Sequence, residues 1–495
     1  MSSLKARYWE TAKHALVFGL GSLGNKLIAF LLLPLYTSYL TTADYGVLAV
    51  LNAADALLTI VLHMGLSTSI FKFYYSDEEA ESRRLIISTS LFWLVGIGVI
   101  VLIAALSLAH PLARVLLHTS AYAQHVRLLL AADAFTIVKI IPLCCFRARK
   151  QSAKYACFSL VEFLTTTALN ILFVAYARMG ILGILRASLI TAIVFSVLGV
   201  VLCRADLTLS FSWARLKALL RYGLPLVPSL LSAYVLVQSD RFFLQRFVPM
   251  SDVGLYSLGY QFGMLINLLV VQPFQLVWLP TAFEMEHRPR ARDFYQGMLT
   301  YILLLGSWFA LGLSLLGKDV IALVTSKSFH SAYVVIPWVA CSYVMYAGYM
   351  VVNIGIYLRS KTHYAMWIVG AAALFNLTLN LVLIPSFGIL GAAAATLLSY
   401  TLLFVVAWQV NRRFFPLSYE WGRVAKLGAV AAVVFFVGQN IIWEGLPAIL
   451  VKVLLLILFW GLLLLSRFFN SNEIAMIQKV GGSLVRRTFR TRSTY

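Results

Sequence analysis

Long apolar runs separated by short polar gaps repeat along almost the whole chain. A helix crosses the hydrocarbon core of a bilayer in roughly 20 residues, and each run is of that order. Counting them gives fourteen candidate spans, at about 14–40, 45–70, 85–109, 124–146, 155–177, 182–203, 221–247, 253–280, 295–316, 331–357, 363–385, 388–410, 425–443 and 447–466. The gaps after Leu40 and after Pro385 are the thinnest. The pattern predicts an all-α integral membrane protein with about fourteen transmembrane helices.

The stretch from Leu219 to Leu258 organises the rest. It opens with Pro225 and Pro228, carries the charged pair Asp240-Arg241 in its far half, and turns sharply after Val248 into the next apolar run. Proline and buried charge are both costly in lipid, which marks this span as more than an anchor. The turn Asp252-Val253-Gly254 also has a counterpart in Asp44-Tyr45-Gly46, 208 positions earlier. At the same offset Gly180-Ile181-Leu182-Gly183 recurs as Gly388-Ile389-Leu390-Gly391. Spans one to six and seven to twelve therefore read as two copies of one unit. A repeat with six spans begins and ends on one side of the membrane, so the copies should be parallel. The expected organisation is a six-helix lobe over 1–204, a second over 205–413, two added helices over 414–468 and a basic tail over 469–495.

Composition agrees with that class. Apolar residues make up 61% of the 495 and charged residues 12%, about half the share in soluble proteins. The net charge of +21 does not point to nucleic acid, because the basic residues are spread over short loops. With the N-terminus inside, the cytoplasmic loops collect 29 of the 40 lysines and arginines and the opposite side five, so the positive-inside rule places both termini in the cytoplasm. No loop is large enough to form a domain. The five cysteines, Cys144, Cys145, Cys157, Cys203 and Cys341, lack metal-ligand spacing and read as small packing residues; no metal or cofactor is expected.

The candidate chemistry lies in ionisable side chains away from span ends, where burial costs several kcal/mol unless a cavity or partner is at hand. Lys26 is central in span one, Asp55 and His63 lie in span two, Asp133 and Lys139 in span four, Glu162 in span five, and Asp240-Arg241 in span seven; Arg127 and Arg186 are nearer the outer ends. Two readings stand side by side. Lys26, Lys139, Arg186 and Arg241 line a cavity as an anion site, with Asp240 beside Arg241; or the charges pair off to fix helix packing, Asp55 or Asp133 with Lys26. Counterparts at the repeat offset are neutral (Tyr234 for Lys26, Gly263 for Asp55, Ala347 for Lys139, Gly370 for Glu162, Ala394 for Arg186), so a polar, cation-lined first half faces a mostly apolar second half, which suits a ligand with an anionic head.

The order of motifs resembles the polysaccharide-transport family of the multidrug/oligosaccharidyl-lipid/polysaccharide exporter superfamily, the O-antigen-type flippases. The residues that carry it are Gly19-Leu20-Gly21-Ser22, Leu33-Pro34-Leu35-Tyr36, Asp44-Tyr45-Gly46, Tyr222-Gly223-Leu224-Pro225-Leu226-Val227-Pro228, Ser239-Asp240-Arg241 and Val253-Gly254-Leu255-Tyr256-Ser257. The resemblance implies two six-helix lobes forming a V in the inner membrane. It also implies alternating access that moves an undecaprenyl-diphosphate-linked oligosaccharide to the outer leaflet, with membrane lipid and a polysaccharide polymerase as partners. Fixed cations in a wet cavity would replace the hydration of the diphosphate. A cation-coupled small-molecule exporter of the same superfamily is the alternative, with Asp55, Asp133 and Glu162 as ion-coupling groups. A membrane polymerase or glycosyltransferase would want a large catalytic loop, which the spacing does not leave room for.

Overall fold

A computed structural model describes residue 30 and residues 32–474 apart from 442, 444 and 472. Among the described residues, twelve helical segments are long and apolar enough to cross a membrane: α1 (Thr42–Ser76), α2 (Ala80–Ser107), α3 (Ser120–Ala148), α4 (Ser152–Tyr176), α5 (Gly180–Leu202), α6 (Trp213–Gln238), α7 (Met250–Met285), α8 (Ala291–Val324), α9 (Lys327–Leu358), α10 (Thr362–Phe414), α11 (Trp421–Gln439) and α12 (Leu446–Leu465). The described residues contain helices, turns and loops and no strand. Each is an expected span save two adjustments. Span one falls mostly outside the described residues, which include the short helix Leu33–Tyr39 at its end. Spans eleven and twelve run together as α10, whose 53 residues are two helices joined across a kink at Gly388.

Local chemistry explains where the helices begin and break. Thr41 caps α1 by accepting from the Asp44 N–H, while the Asp44 carboxylate accepts from the Thr41 N–H at 3.0 Å. Such a reciprocal cap is worth about 1 kcal/mol. α1 breaks at Met64 and Gly65, both at positive φ (48° and 69°), before it resumes at Leu66. In α6, Pro225 falls in a tight 3₁₀ turn, Leu224–Leu226, and Pro228 enters the next helical segment at a position that needs no N–H donor. The charged pair lies beyond, in a separate short helix, Asp240–Phe247. Five-residue-spaced π segments close α4 (Ile171–Tyr176) and interrupt α7 (Asn267–Val271).

The chain forms two compact units. One takes the described part of Met1–Gln261 with Ile321–Val335 and Met366–Ser399; the other takes Phe262–Val320, Ile336–Ala365 and the described part of Tyr400–Tyr495. Two observations within the first unit concern residues 208 positions apart. Gly180 and Gly388 both adopt the left-handed backbone, with φ of 58° and 54°, each opening the helix that follows; a Cβ would strain either. Gly46 and Gly254 pack on each other's helix with no room for a side chain at either position.

The second unit holds its own buried charges. Lys452 in α12 donates to Asp319 near the end of α8 at 2.6 Å, joining the two helices. At the start of α11, Arg423 grips both Glu420 and Glu473 at 2.9 Å and stacks over Phe468. This ties the segment after α12 to α11, and Tyr301 of α8 adds a hydrogen bond to Glu473.

A buried polar cluster around Asp240

Asp240 is fully buried at the head of its short helix, and three uncharged donors converge on it. Asn380 Nδ2 donates to Oδ1 at 2.9 Å, while Thr396 Oγ1, at 3.1 Å, and the Tyr256 hydroxyl donate to Oδ2. Asn380 also donates to Asn376 Oδ1 at 3.1 Å, and Ser239 Oγ closes the chain of contacts on the same oxygen at 3.3 Å. Asn376, Asn380, Thr396 and Tyr256 are all without measurable exposure. A carboxylate removed from water needs such donors, since each unmade hydrogen bond in an apolar setting costs about 1–3 kcal/mol.

The kink at Gly388 assembles this cluster. Asn376 and Asn380 are one turn apart on the first half of α10, and Thr396 lies on the second half. The chain direction changes between them at a residue with φ 54° and ψ −130°, so both halves present polar groups to Asp240. Asn380 Oδ1 and Asn376 Nδ2 remain buried without a partner among the described residues. Carboxylate, carboxamide and hydroxyl oxygens are the ligand types that hard cations take, but the neighbouring Arg241 charge opposes one here.

Arg241 is 6% exposed. Its Nη1 donates to the Val237 carbonyl, and the guanidinium carbon stands 4.2 Å from the Tyr260 ring centre and 5.4 Å from that of Tyr256. Among the described residues no carboxylate lies within ion-pair distance of it. It is held by a carbonyl and two aromatic faces, interactions that leave most of its five donors uncommitted.

The other expected site residues fall in different places. Lys139 of α3 is ion-paired with Glu162 of α4, both side chains largely buried, so an expected anion ligand and an expected ion-coupling acid meet each other. Asp133 of α3 is 3% exposed and sits against Asp55 of α1, bringing two of the three acids together. Oδ2 of Asp133 has no donor among the described residues. Arg186, near the head of α5, reaches Met179 Sδ at 3.2 Å. Lys26 lies outside the described residues. Sequence reasoning passed over Tyr256, Asn376, Asn380 and Thr396; the readable hint was the Asn376/Asn380 pair, spaced one helical turn apart in an apolar span. It also passed over Lys452 and Asp319.

Twelve long apolar helices with charge buried among them define a multi-pass membrane protein. The chain belongs to the polysaccharide biosynthesis protein family, whose model matches residues 11–286, more than half of it. A protein of the Lsg locus of Haemophilus influenzae is 23% identical over 280 residues. That match covers 55% of this chain and 66% of the relative, just under two thirds of its length. Among solved structures, the lipid II flippase MurJ in an inward closed conformation shares the fold with a TM-score of 0.72 at 13% identity, covering 90% of this chain and 98% of that one. An inward-facing multidrug resistance MATE family transporter of the MOP superfamily gives 0.60 at 15% identity over 80% and 94% of the two chains. The Vibrio cholerae MATE transporter VcmN in its bent form gives 0.54 at 16% identity over 83% and 98%.

Proposed function

We propose that the protein is a flippase that carries a polyprenyl-diphosphate-linked oligosaccharide from the cytoplasmic to the outer leaflet of the inner membrane by alternating access, in the service of surface polysaccharide synthesis. Family membership supports the process, and the likeness to a lipid II flippase supports the kind of cargo. The observation that carries the reading is Arg241: a guanidinium kept inside the membrane, its neighbour's carboxylate occupied by Tyr256, Asn380 and Thr396. A diphosphate would exchange weak contacts to a carbonyl and two rings for bidentate, charge-assisted ones. Lys139, already neutralised by Glu162, ranks behind Arg241, as does Arg186; Lys26 joins the anion site in this reading. The polyprenol tail stays in lipid, and a polysaccharide polymerase on the outer side receives the product.

The test is the leaflet distribution of lipid-linked oligosaccharide in cells expressing variants at matched levels. Arg241→Ala should leave the oligosaccharide on the cytoplasmic leaflet, and Arg241→Lys, which keeps charge but loses the fork, should restore part of the transfer. Wild-type distribution in Arg241→Ala removes the residue from the site. Orientation belongs to the same proposal, with both termini inside. Reporter fusions after Pro249 should read as external, and those after Asp77, Arg290 and Arg413 as internal.

A second reading, a cation-coupled exporter of small molecules, draws on the Asp55–Asp133 acid pair and on the fold shared with MATE transporters. It requires that Asp133→Asn abolish efflux of a lipophilic cation from whole cells and leave lipid-linked oligosaccharide undisturbed.

A further inference from the structure

Away from the Asp240 cluster, the first unit brings together three side chains that lie far apart in sequence. Cys145 is near the end of α3, Cys203 directly follows α5, and Asp206 closes the short turn Arg204–Asp206. One ligand atom from each lies within 4.8 Å of the others, and the residues are 1%, 2% and 5% exposed. The Cys145 thiol donates to Asp206 Oδ2 at 3.2 Å. The Cys203 thiol lies in hydrogen-bonding reach of the Cys145 thiol and makes a long contact, 3.9 Å, to the Pro142 carbonyl. The other oxygen of Asp206 is bound by Arg149, whose side chain is 37% exposed and borders solvent.

We propose that Cys145, Cys203 and Asp206 form a binding site for a thiolate-preferring divalent cation of the zinc class, a site that pins the end of α3 to the end of α5. Two thiolates select a soft or borderline ion over magnesium or calcium. Tetrahedral zinc, with bonds of about 2.3 Å to sulfur and 2.0–2.2 Å to oxygen, sets ligand edges of roughly 3.5 Å between sulfur and oxygen and 3.8 Å between the sulfurs. The Cys145–Asp206 edge, at 3.2 Å, is within a few tenths of that. Binding releases the two thiol protons, giving a dicationic metal with two thiolates and one carboxylate. The single negative charge left over is balanced by Arg149, already in place on the carboxylate's second oxygen. The fourth position is left to water. The sequence spacing hid this site because its ligands come from the end of one helix and the turn that follows another, some sixty residues on, whereas local metal motifs draw closely spaced pairs from one loop.

The probe is cobalt(II), titrated into the full-length protein purified in detergent with its thiols reduced. A thiolate-to-cobalt charge-transfer absorption that saturates at a single equivalent per chain is expected, and excess zinc(II) should erase it. Cys203→Ser and Cys145→Ser should each lower the band's intensity per bound cobalt and weaken binding. Arg149→Ala should keep the band and lose affinity by about tenfold. Cys157→Ser, exposed and outside the cluster, should change nothing. Absence of a thiolate band in the wild-type protein overturns the proposal, as does an undiminished band in Cys203→Ser. Should the serine variants fail to fold, the zinc content of the wild-type protein after dialysis against zinc(II) decides: near one equivalent supports the site, and a small fraction of one overturns it.

Discussion

Gly46 and Gly254 lie against each other, each facing the backbone carbonyl of the residue four positions before the other: Gly46 that of Met250, Gly254 that of Thr42. Both the glycines and the carbonyl-bearing residues are 208 positions apart, so exchanging the two helices reproduces the contact. That exchange symmetry is the one a twofold axis between two copies would impose. Without a solvent-driven force between helices in lipid, close backbone approach over small residues supplies much of the association.

Gly46→Leu and Gly254→Leu should therefore both lower folded yield, since a side chain at either position meets backbone that cannot move aside. Overpacking of this kind costs about 1–3 kcal/mol or more. Fluorescence-detected size-exclusion after a heating series measures it. Gly428→Leu, where a Cβ meets nothing within 4 Å, is the control and should behave as wild type.

The Lys139–Glu162 pair separates structure from transport. Lys139→Met leaves Glu162 partly buried without its cation and should destabilise the protein by about 3–5 kcal/mol. The exchanged variant Lys139→Glu/Glu162→Lys should recover most of that stability and flip substrate near the wild-type level. Stable protein with abolished flipping would instead assign Lys139 to the anion site.

Lys452 and Asp319 make a comparable pair in the second unit, with side chains 9% and 18% exposed. Lys452→Met should loosen α12 from α8 and lower the melting temperature in detergent. Lys452→Met/Asp319→Leu should restore it, because removing both charges also removes their desolvation penalty. A double variant no more stable than the single one would deny the coupling.

Glu473 predicts a pH dependence. Burial disfavours its charge, but hydrogen bonds from Tyr301 and the Asn470 N–H, together with the Arg423 guanidinium, outweigh that and hold the carboxyl below its ordinary range. A depressed carboxylate contributes stability that is present above the unfolded value, about 4.3, and is lost as pH falls through the folded one. Hydrogen exchange in the segment after Ser466 should accordingly rise below about pH 4 in the wild type. In Glu473→Gln it should be raised already at neutral pH and change little with acid.

The all-helical membrane class was determined by the sequence alone, because a membrane forces every backbone polar group into local hydrogen bonds and leaves long apolar runs few alternatives. The repeated Gly-Ile-Leu-Gly motif was visible as well, and its first glycines, Gly180 and Gly388, share a left-handed backbone that the motif by itself did not announce. That Asp240 and Arg241 are out of the ordinary was also legible, since charge in such a run demands a reason. Their partners were not. Asn376, Asn380 and Thr396 reach Asp240 only because α10 folds at Gly388, and the pairing of Lys139 with Glu162, of Lys452 with Asp319 and of Cys145 with Cys203 depends on which helix faces lie together. Residue type announces that a buried polar group needs a partner; only packing across helices decides which partner it has.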